Sequence, residues 1–78
     1  MTCRDEILQS ANNLRKIKGK NRFTVAEVVH CMSCKGTRYQ TSTIRTHVTS
    51  RMCANAPKHH AVTYDDFVSL GNGEYRFK

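Results

Sequence analysis

Three helical periodicities, followed by alternating apolar residues around a Gly-Asn-Gly turn, predict an α+β, mainly helical domain in the order of a winged helix-turn-helix. Three observations carry this. Thr24-Val25-Ala26-Glu27 has the spacing of a capping box, which opens a helix. Residues 41–57 wind into a helix with two unlike faces. Residues 64–77 alternate about glycines that permit the positive φ of a tight turn. At 78 residues the chain is one domain, 1–78, and buries only about 60–65% of its unfolded surface. Its 38% apolar content suits three short helices or a helix–sheet unit and leaves little room for an enclosed catalytic pocket.

The first helix is expected over residues 3–18. Thr2 caps it, and Asp5 and Glu6 complement the positive helix start. Ile7, Leu8, Ala11 and Leu14 form its apolar face. Arg15, Lys16 and Lys18 suit its negative end, and Gly19 stops it. Residues 21–23 read as a very short strand. The second helix starts at the capping box, with Phe23 and Val28 as its hydrophobic staple. Val25, Val28, Val29 and Met32 give its i, i+3, i+4, i+7 stripe, and Lys35 and Gly36 close it.

The third helix follows a turn at residues 36–40. Thr41 or Ser42 is its expected cap, and Pro57 its limit. Ile44, Val48 and Met52 recur every four residues as one apolar stripe. Ser42, Arg45, Thr46, Thr49 and Ser50 fall on the other side, with one guanidinium, short hydroxyls and no carboxylate. A merely solvated face more often mixes Glu with Lys. The tail, Val68-Ser69-Leu70 and Glu74-Tyr75-Arg76-Phe77 about Gly71-Asn72-Gly73, reads as a β-hairpin, the wing, with the short first strand pairing against it.

The charge is lopsided. Thirteen Lys and Arg against six Asp and Glu give +7. Arg15, Lys16, Lys18, Lys20, Arg22, Lys35, Arg38, Arg45 and Arg51 fall in the middle of the chain, opposed there only by Glu27. A basic domain of this size points to a polyanionic partner, double-stranded DNA above all. No apolar run approaches the ~20 residues that span a bilayer, and the N-terminus lacks a signal-peptide core, so a soluble, cytoplasmic, nucleoid-associated protein is expected, with no membrane partner.

The candidate contacts follow from these placements. Arg45, Thr46 and Thr49, with Ser50 on the same face, would meet the major groove, Arg45 reading a base edge or phosphate. Thr41, Ser42 and Thr43 open the helix, where free amides attract phosphate. Arg38 can clamp a backbone, whereas Tyr39 is expected to pack. His47 is expected to be a partly buried helix residue. Asn72, Arg76 and Lys78 would bring the wing to the minor groove or an adjacent phosphate. Gly71 and Gly73 need no ligand to explain them.

No catalytic residue is assigned. No Ser-His-Asp set, usefully spaced carboxylate pair or Gly-rich phosphate loop is present, so the chain is expected not to be an enzyme. Asp65 and Asp66, adjacent on an extended chain, point to opposite faces and converge poorly on an ion; a local turn or a DNA-averse edge is the expected role. Cys31-Met32-Ser33-Cys34, with Cys53 and His59, could form a Cys3His zinc set, but the downstream spacing fits no familiar finger. Free, reduced thiols and no cofactor are the expectation. A thioredoxin-like role lacks its βαβ surroundings.

The segment STIRTHVTSRMCANAP, the pair His59-His60, Tyr64-Asp65-Asp66-Phe67 and the closing GNGEYRF together resemble a small winged-helix module of bacterial restriction endonucleases and related mobile-defence proteins. The resemblance covers residues 23–77 and is most distinctive in Thr43-Ile44-Arg45-Thr46-His47 and Tyr64-Asp65-Asp66. It implies DNA binding by analogy and a separate nuclease domain as partner, and supplies no contact residue. The alternative reading is a protein-interaction or dimerisation module of the same fold, with a homodimer as its simplest form.

Overall fold

The computed structural model describes residues 2–54 and 64–78. Three helical segments pack on a small antiparallel sheet. Helix α1 spans Cys3–Lys18, β1 Phe23–Thr24, α2 Val25–Cys34 and α3 Thr41–Thr46; α3 runs on through a π-helical turn, His47–Arg51, before strands β2, Phe67–Ser69, and β3, Glu74–Phe77. The sheet order is β1-β3-β2. No helix among the described residues is long and apolar enough to cross a membrane.

The expected ends of α1 are the observed ones. Thr2 Oγ1 accepts the Asp5 amide at 3.2 Å, and the Asp5 carboxylate accepts the Thr2 amide at 3.2 Å, a reciprocal capping box. Gly19 at φ 70° donates its amide to the Arg15 carbonyl, a conformation a Cβ would strain. Ile7 and Ala11 are buried, and Leu8 and Leu14 pack half-buried against the core. α2 opens as its sequence requires: Thr24 Oγ1 accepts the Glu27 amide at 3.1 Å, and Glu27 Oε1 accepts the Thr24 amide at 2.8 Å. Val25, Val28 and Met32 are buried.

Strand β1 differs from the expected residues 21–23. It begins at Phe23, pairing Phe23 with Tyr75 and Thr24 with Glu74. Asn21 joins through its side chain instead: its amide oxygen accepts the Phe77 N–H at 3.0 Å and its amide nitrogen donates to the Phe77 carbonyl at 3.3 Å. A side-chain amide carries both a donor and an acceptor group, so it substitutes for a strand residue. In the hairpin, Phe67 pairs with Phe77 and Ser69 with Tyr75, so β2 begins one residue earlier than expected and Leu70 falls in the turn. The Leu70 amide donates to the Glu74 carbonyl at 2.8 Å, enclosing Gly71 and Gly73 at φ 88° and 83°.

The third helix is corrected in two respects. Its cap is Gln40, not Thr41 or Ser42, and the Gln40 side chain makes no capping bond. The Ile44 amide already reaches the Gln40 carbonyl, which places Thr41 and Ser42 inside the first turn. The α-helical path ends at Thr46 and widens into the π turn, closed by the Met52 amide on the His47 carbonyl at 2.7 Å. Residues 55–57, assigned to the helix from sequence, lie outside the described residues. Strand-like bonds take over: the Phe67 amide donates to the Met52 carbonyl at 2.8 Å, and the Ala54 amide to the Phe67 carbonyl at 2.7 Å. Ile44, Val48 and Met52 are all buried, so the apolar stripe survives the change of pitch.

Among the described residues, three side-chain hydrogen-bonded links hold α1 to the rest. Arg4 donates twice to Asp66, at 2.9 and 2.8 Å, and lies 4.1 Å over the Tyr64 ring. Glu6 accepts the Thr37 hydroxyl at 2.8 Å. Lys18 donates to Glu27 at 2.9 Å. Asp66 therefore serves a long-range ion pair rather than a local turn, and Asp65 faces Lys78 at 3.9 Å.

Two predictions follow from the interior and its ties. Ser10 is 1% exposed, and its hydroxyl has no partner among the described residues. An unsatisfied buried hydroxyl is costly and Ala is the better helix former, so Ser10→Ala is expected to raise stability by about 1 kcal/mol, read as a higher urea midpoint at unchanged m-value. A lower midpoint would contradict the assignment. Burial disfavours the Glu27 carboxylate, but hydrogen bonds from Lys18 and the Thr24 amide outweigh it and hold its pKa below the ordinary value. A lowered folded pKa gives stability that is complete above the unfolded pKa of about 4.3 and lost as pH falls through the folded value. Urea unfolding across that acid range should show a weaker pH dependence in Glu27→Gln than in the parent.

Candidate nucleic-acid interface

The polar side of α3 and its π turn is the surface to judge. Thr41, Ser42, Arg45 and Thr46 are exposed and Thr43 is half-buried. Thr49 and Ser50, expected on the open face, are half-buried, because the π turn rotates them from where an α-helix would place them. The hydroxyl protons are partly committed. Thr46 Oγ1 donates to the Ser42 carbonyl at 3.0 Å and Thr49 Oγ1 to the Arg45 carbonyl at 2.7 Å. In that rotamer both oxygens are acceptors, suited to an exocyclic base amine and not to a phosphate.

Ser42, Thr43, Thr46, His47 and Arg51 line a shallow polar depression of about 290 Å³. Arg45 and Thr49 are outside it. His47 is half-buried, as expected, with Nδ1 2.9 Å from the Thr43 carbonyl; Nδ1 can only donate there, leaving Nε2 as the other polar end of the ring. Arg51 was not among the contacts inferred from sequence. The signal for it was the spacing Thr43, His47, Arg51, the same four-residue step as the apolar stripe displaced by one position.

The flanking candidates are not alike. Arg38 is exposed with no carboxylate partner among the described residues, and Tyr39 packs half-buried on the core. In the hairpin, Asn72 is turned inward: its amide nitrogen donates to Glu74 at 3.1 Å and its oxygen accepts the Glu74 amide at 3.3 Å. Arg76 is exposed but donates to the Phe77 carbonyl at 3.0 Å. Asn72 is held through both its amide oxygen and nitrogen, whereas Arg76 keeps guanidinium donors besides the one on Phe77.

The electrostatic organisation is the more informative feature. All six acids are engaged internally. Asp5 accepts the Thr2 amide, Glu6 the Thr37 hydroxyl, Glu27 the Lys18 ammonium, Asp66 the Arg4 guanidinium and Glu74 the Asn72 amide, while Asp65 faces Lys78. By contrast, Lys16, Lys20, Arg22, Lys35, Arg38 and Arg45 are exposed and form no ion pair among the described residues.

Residues 3–77 match the model of a protein family described as a domain of unknown function, DUF7669. The chain belongs to that family. No curated protein and no solved structure matches it. The DUF7669 match spans the helices and the hairpin together, so the polar α3 surface and the sheet that supports it lie in one family unit.

The four cysteines of this DUF7669 chain form no disulfide among the described residues and differ in exposure. Cys3 and Cys53 are buried, Cys31 is half-buried and Cys34 is exposed. Among the described residues no three His, Cys, Asp or Glu side chains converge on a point that could hold a metal, and His59 of the proposed zinc set lies outside the described residues. Burial, then the Glu6 carboxylate, push the Cys3 thiol up. Cys34 Sγ is 3.6 Å from His30 Nε2, a neighbour that sequence reasoning did not single out although i, i+4 spacing on α2 implies it. A thiol-specific disulfide reagent is expected to react first with Cys34, more slowly with Cys31, and with Cys3 and Cys53 only on unfolding. Persistence of the fast phase in Cys34→Ser would contradict this order.

Proposed function

We propose that this domain binds double-stranded DNA, with α3 in the major groove and the hairpin acting as a wing in a winged helix-turn-helix arrangement. The observation that carries the reading is the charge distribution: every acid has an internal partner, whereas Arg38, Arg45 and, around the end of α1, Lys16, Lys20 and Arg22 face solvent without an ion pair among the described residues. A field of this kind attracts a polyanion and neutralises its phosphates. The order of elements, with β1 against β3 and a helical pair joined by a short turn, supports the same reading.

Arg45 is the principal contact, free to fork onto a guanine edge or a phosphate. Thr41 and Ser42 offer exposed hydroxyls, and Thr46 and Thr49 offer acceptor oxygens. Thr43, His47 and Arg51 shape the neighbouring depression, with Ser50 half-buried outside it, while Arg38 and the remaining donors of Arg76 take backbone phosphates. Asn72 contributes through the turn it stabilises. The domain carries recognition rather than chemistry, and a restriction or defence setting, with a nuclease domain alongside, fits the resemblance of its sequence.

Fluorescence anisotropy on a randomised duplex pool, titrated from low to high salt, tests this. If about four to six phosphates are neutralised, log K should fall with log salt at a slope of roughly −4 to −5. Arg45→Ala should cost about 1–3 kcal/mol on a selected site if it reads a base, whereas Arg22→Ala should weaken all duplexes alike and flatten the slope by about one. A flat salt response, or Arg45→Ala binding like the parent, would sink the proposal.

A further inference from the structure

A second surface, sharing no residue with the α3 face, lies between α1 and α2. The end of α1 and the outer side of α2 form an open groove of about 530 Å³. Leu14 and Ile17 line it from α1, with Ala26, His30, Cys31 and Cys34 from α2. Positions 26, 30 and 34 form one i, i+4 row of α2, and 27, 31 and 35 the next, so the groove follows α2 for about 14 Å. Ile17 is 81% exposed, the one exposed large hydrophobic among the described residues. Leu14 and Ile17, three apart, extend the apolar stripe of α1 past the core that Ile7 and Ala11 fill. Such a side chain adds little to folding while it stays in water.

The rim charges say what would cover it. Glu27 is the single acid lining the groove, and it is engaged by Lys18 at 2.9 Å and by the Thr24 amide. Lys35 lines the other end, and Lys35, Lys16 and Lys20, the last two close to Ile17 in the chain, are exposed and without ion pairs among the described residues. The uncompensated charge is therefore positive. A second copy of this chain would bring +7 against +7 and is disfavoured. Nucleic acid has no apolar side chains to fill the groove. A channel between two helices, without a free strand edge, accepts a third helix in the manner of ridges into grooves.

We propose that the α1–α2 groove docks an acidic amphipathic helix of a partner protein, two to three turns long, with apolar residues at i, i+3 or i+4 and i+7 seated over Ile17, Leu14 and Cys31, and carboxylates answering Lys35, Lys16 and Lys20. The apolar lining is separate from the α3 contacts, although Lys16 and Lys20 also belong to the positive field on which the DNA reading rests.

The test uses the full chain and a synthetic helical peptide with Leu at those spacings and Glu at the remaining exposed positions. Amide chemical-shift mapping should localise the peptide to the end of α1 and along α2, leaving α3 unperturbed. Ile17→Ser, at a site too exposed to endanger folding, should weaken binding about tenfold with an unchanged melting temperature, as expected for loss of one buried aliphatic anchor. Lys35→Glu should weaken it about fivefold, and a peptide with Lys in place of Glu should not bind. The proposal is overturned if the peptide fails to perturb the groove, if the Lys peptide binds as well, or if Ile17→Ser binds like the parent. Concentration-dependent self-association abolished by Ile17→Ser would also overturn it, since the occupant would then be a second copy.

Discussion

Phe23 and Thr24 join the two kinds of secondary structure in this molecule, and the rest of the fold depends on that junction. These two residues are the whole of β1, pairing with Tyr75 and Glu74 of the hairpin. Thr24 is also the cap of α2, its hydroxyl on the Glu27 amide. The Phe23 ring is fully buried, 4.9 Å from Phe67 and 6.1 Å from Phe77, centroid to centroid, in edge-on contacts. Aromatic pairs in that geometry contribute beyond the area they bury. A two-residue strand has too few ladder bonds to persist alone. Its position is secured because the same backbone that pairs with β3 presents the cap to α2 and the ring to the core.

The polar links work in the same direction. Arg4–Asp66 fastens α1 to the segment entering β2, Glu6–Thr37 fastens it to the turn before α3, and Lys18–Glu27 fastens it to α2. Asp66 is well screened from solvent and its pair is bidentate, the geometry in which an ion pair outweighs its desolvation most readily. Each bond uses an acid that a soluble surface would otherwise display among its lysines. The positive exterior is thus partly a product of folding, since the carboxylates are drawn into internal bonds while the central cations stay outside.

That arrangement separates two surfaces. On α3, guanidinium and hydroxyl groups stand over a buried stripe of Ile44, Val48 and Met52, which sets their direction but not their hydrogen bonds. Thr46 and Thr49 spend their protons on the helix itself, so Arg45, with the exposed Thr41 and Ser42 hydroxyls, keeps donors for a ligand. Between α1 and α2 the chemistry is reversed: aliphatic and thiol groups lie open and the charges stand at the rim. A polyanion and an acidic helix make different demands, and the domain presents a separate face suited to each.

Local rules were legible residue by residue. The caps at Thr2 and Thr24, the stop at Gly19, the stripe on α3 and the glycine turn of the hairpin each depend on neighbours within about four positions, so sequence by itself determined them. The polarity of the α3 face was legible for the same reason. Its geometry was not. The widening at His47 arises where the chain must leave the helix and pair Met52 and Ala54 with Phe67, a contact between distant segments. That widening turned Thr49 and Ser50 partly inward. The fate of Asp66 was equally non-local: it meets Arg4 from the far end of the chain, and no spacing in the sequence encodes the encounter. Periodicity decides which side of an element is polar; only the packing of remote segments decides which polar groups are already spent, and therefore which remain for a partner.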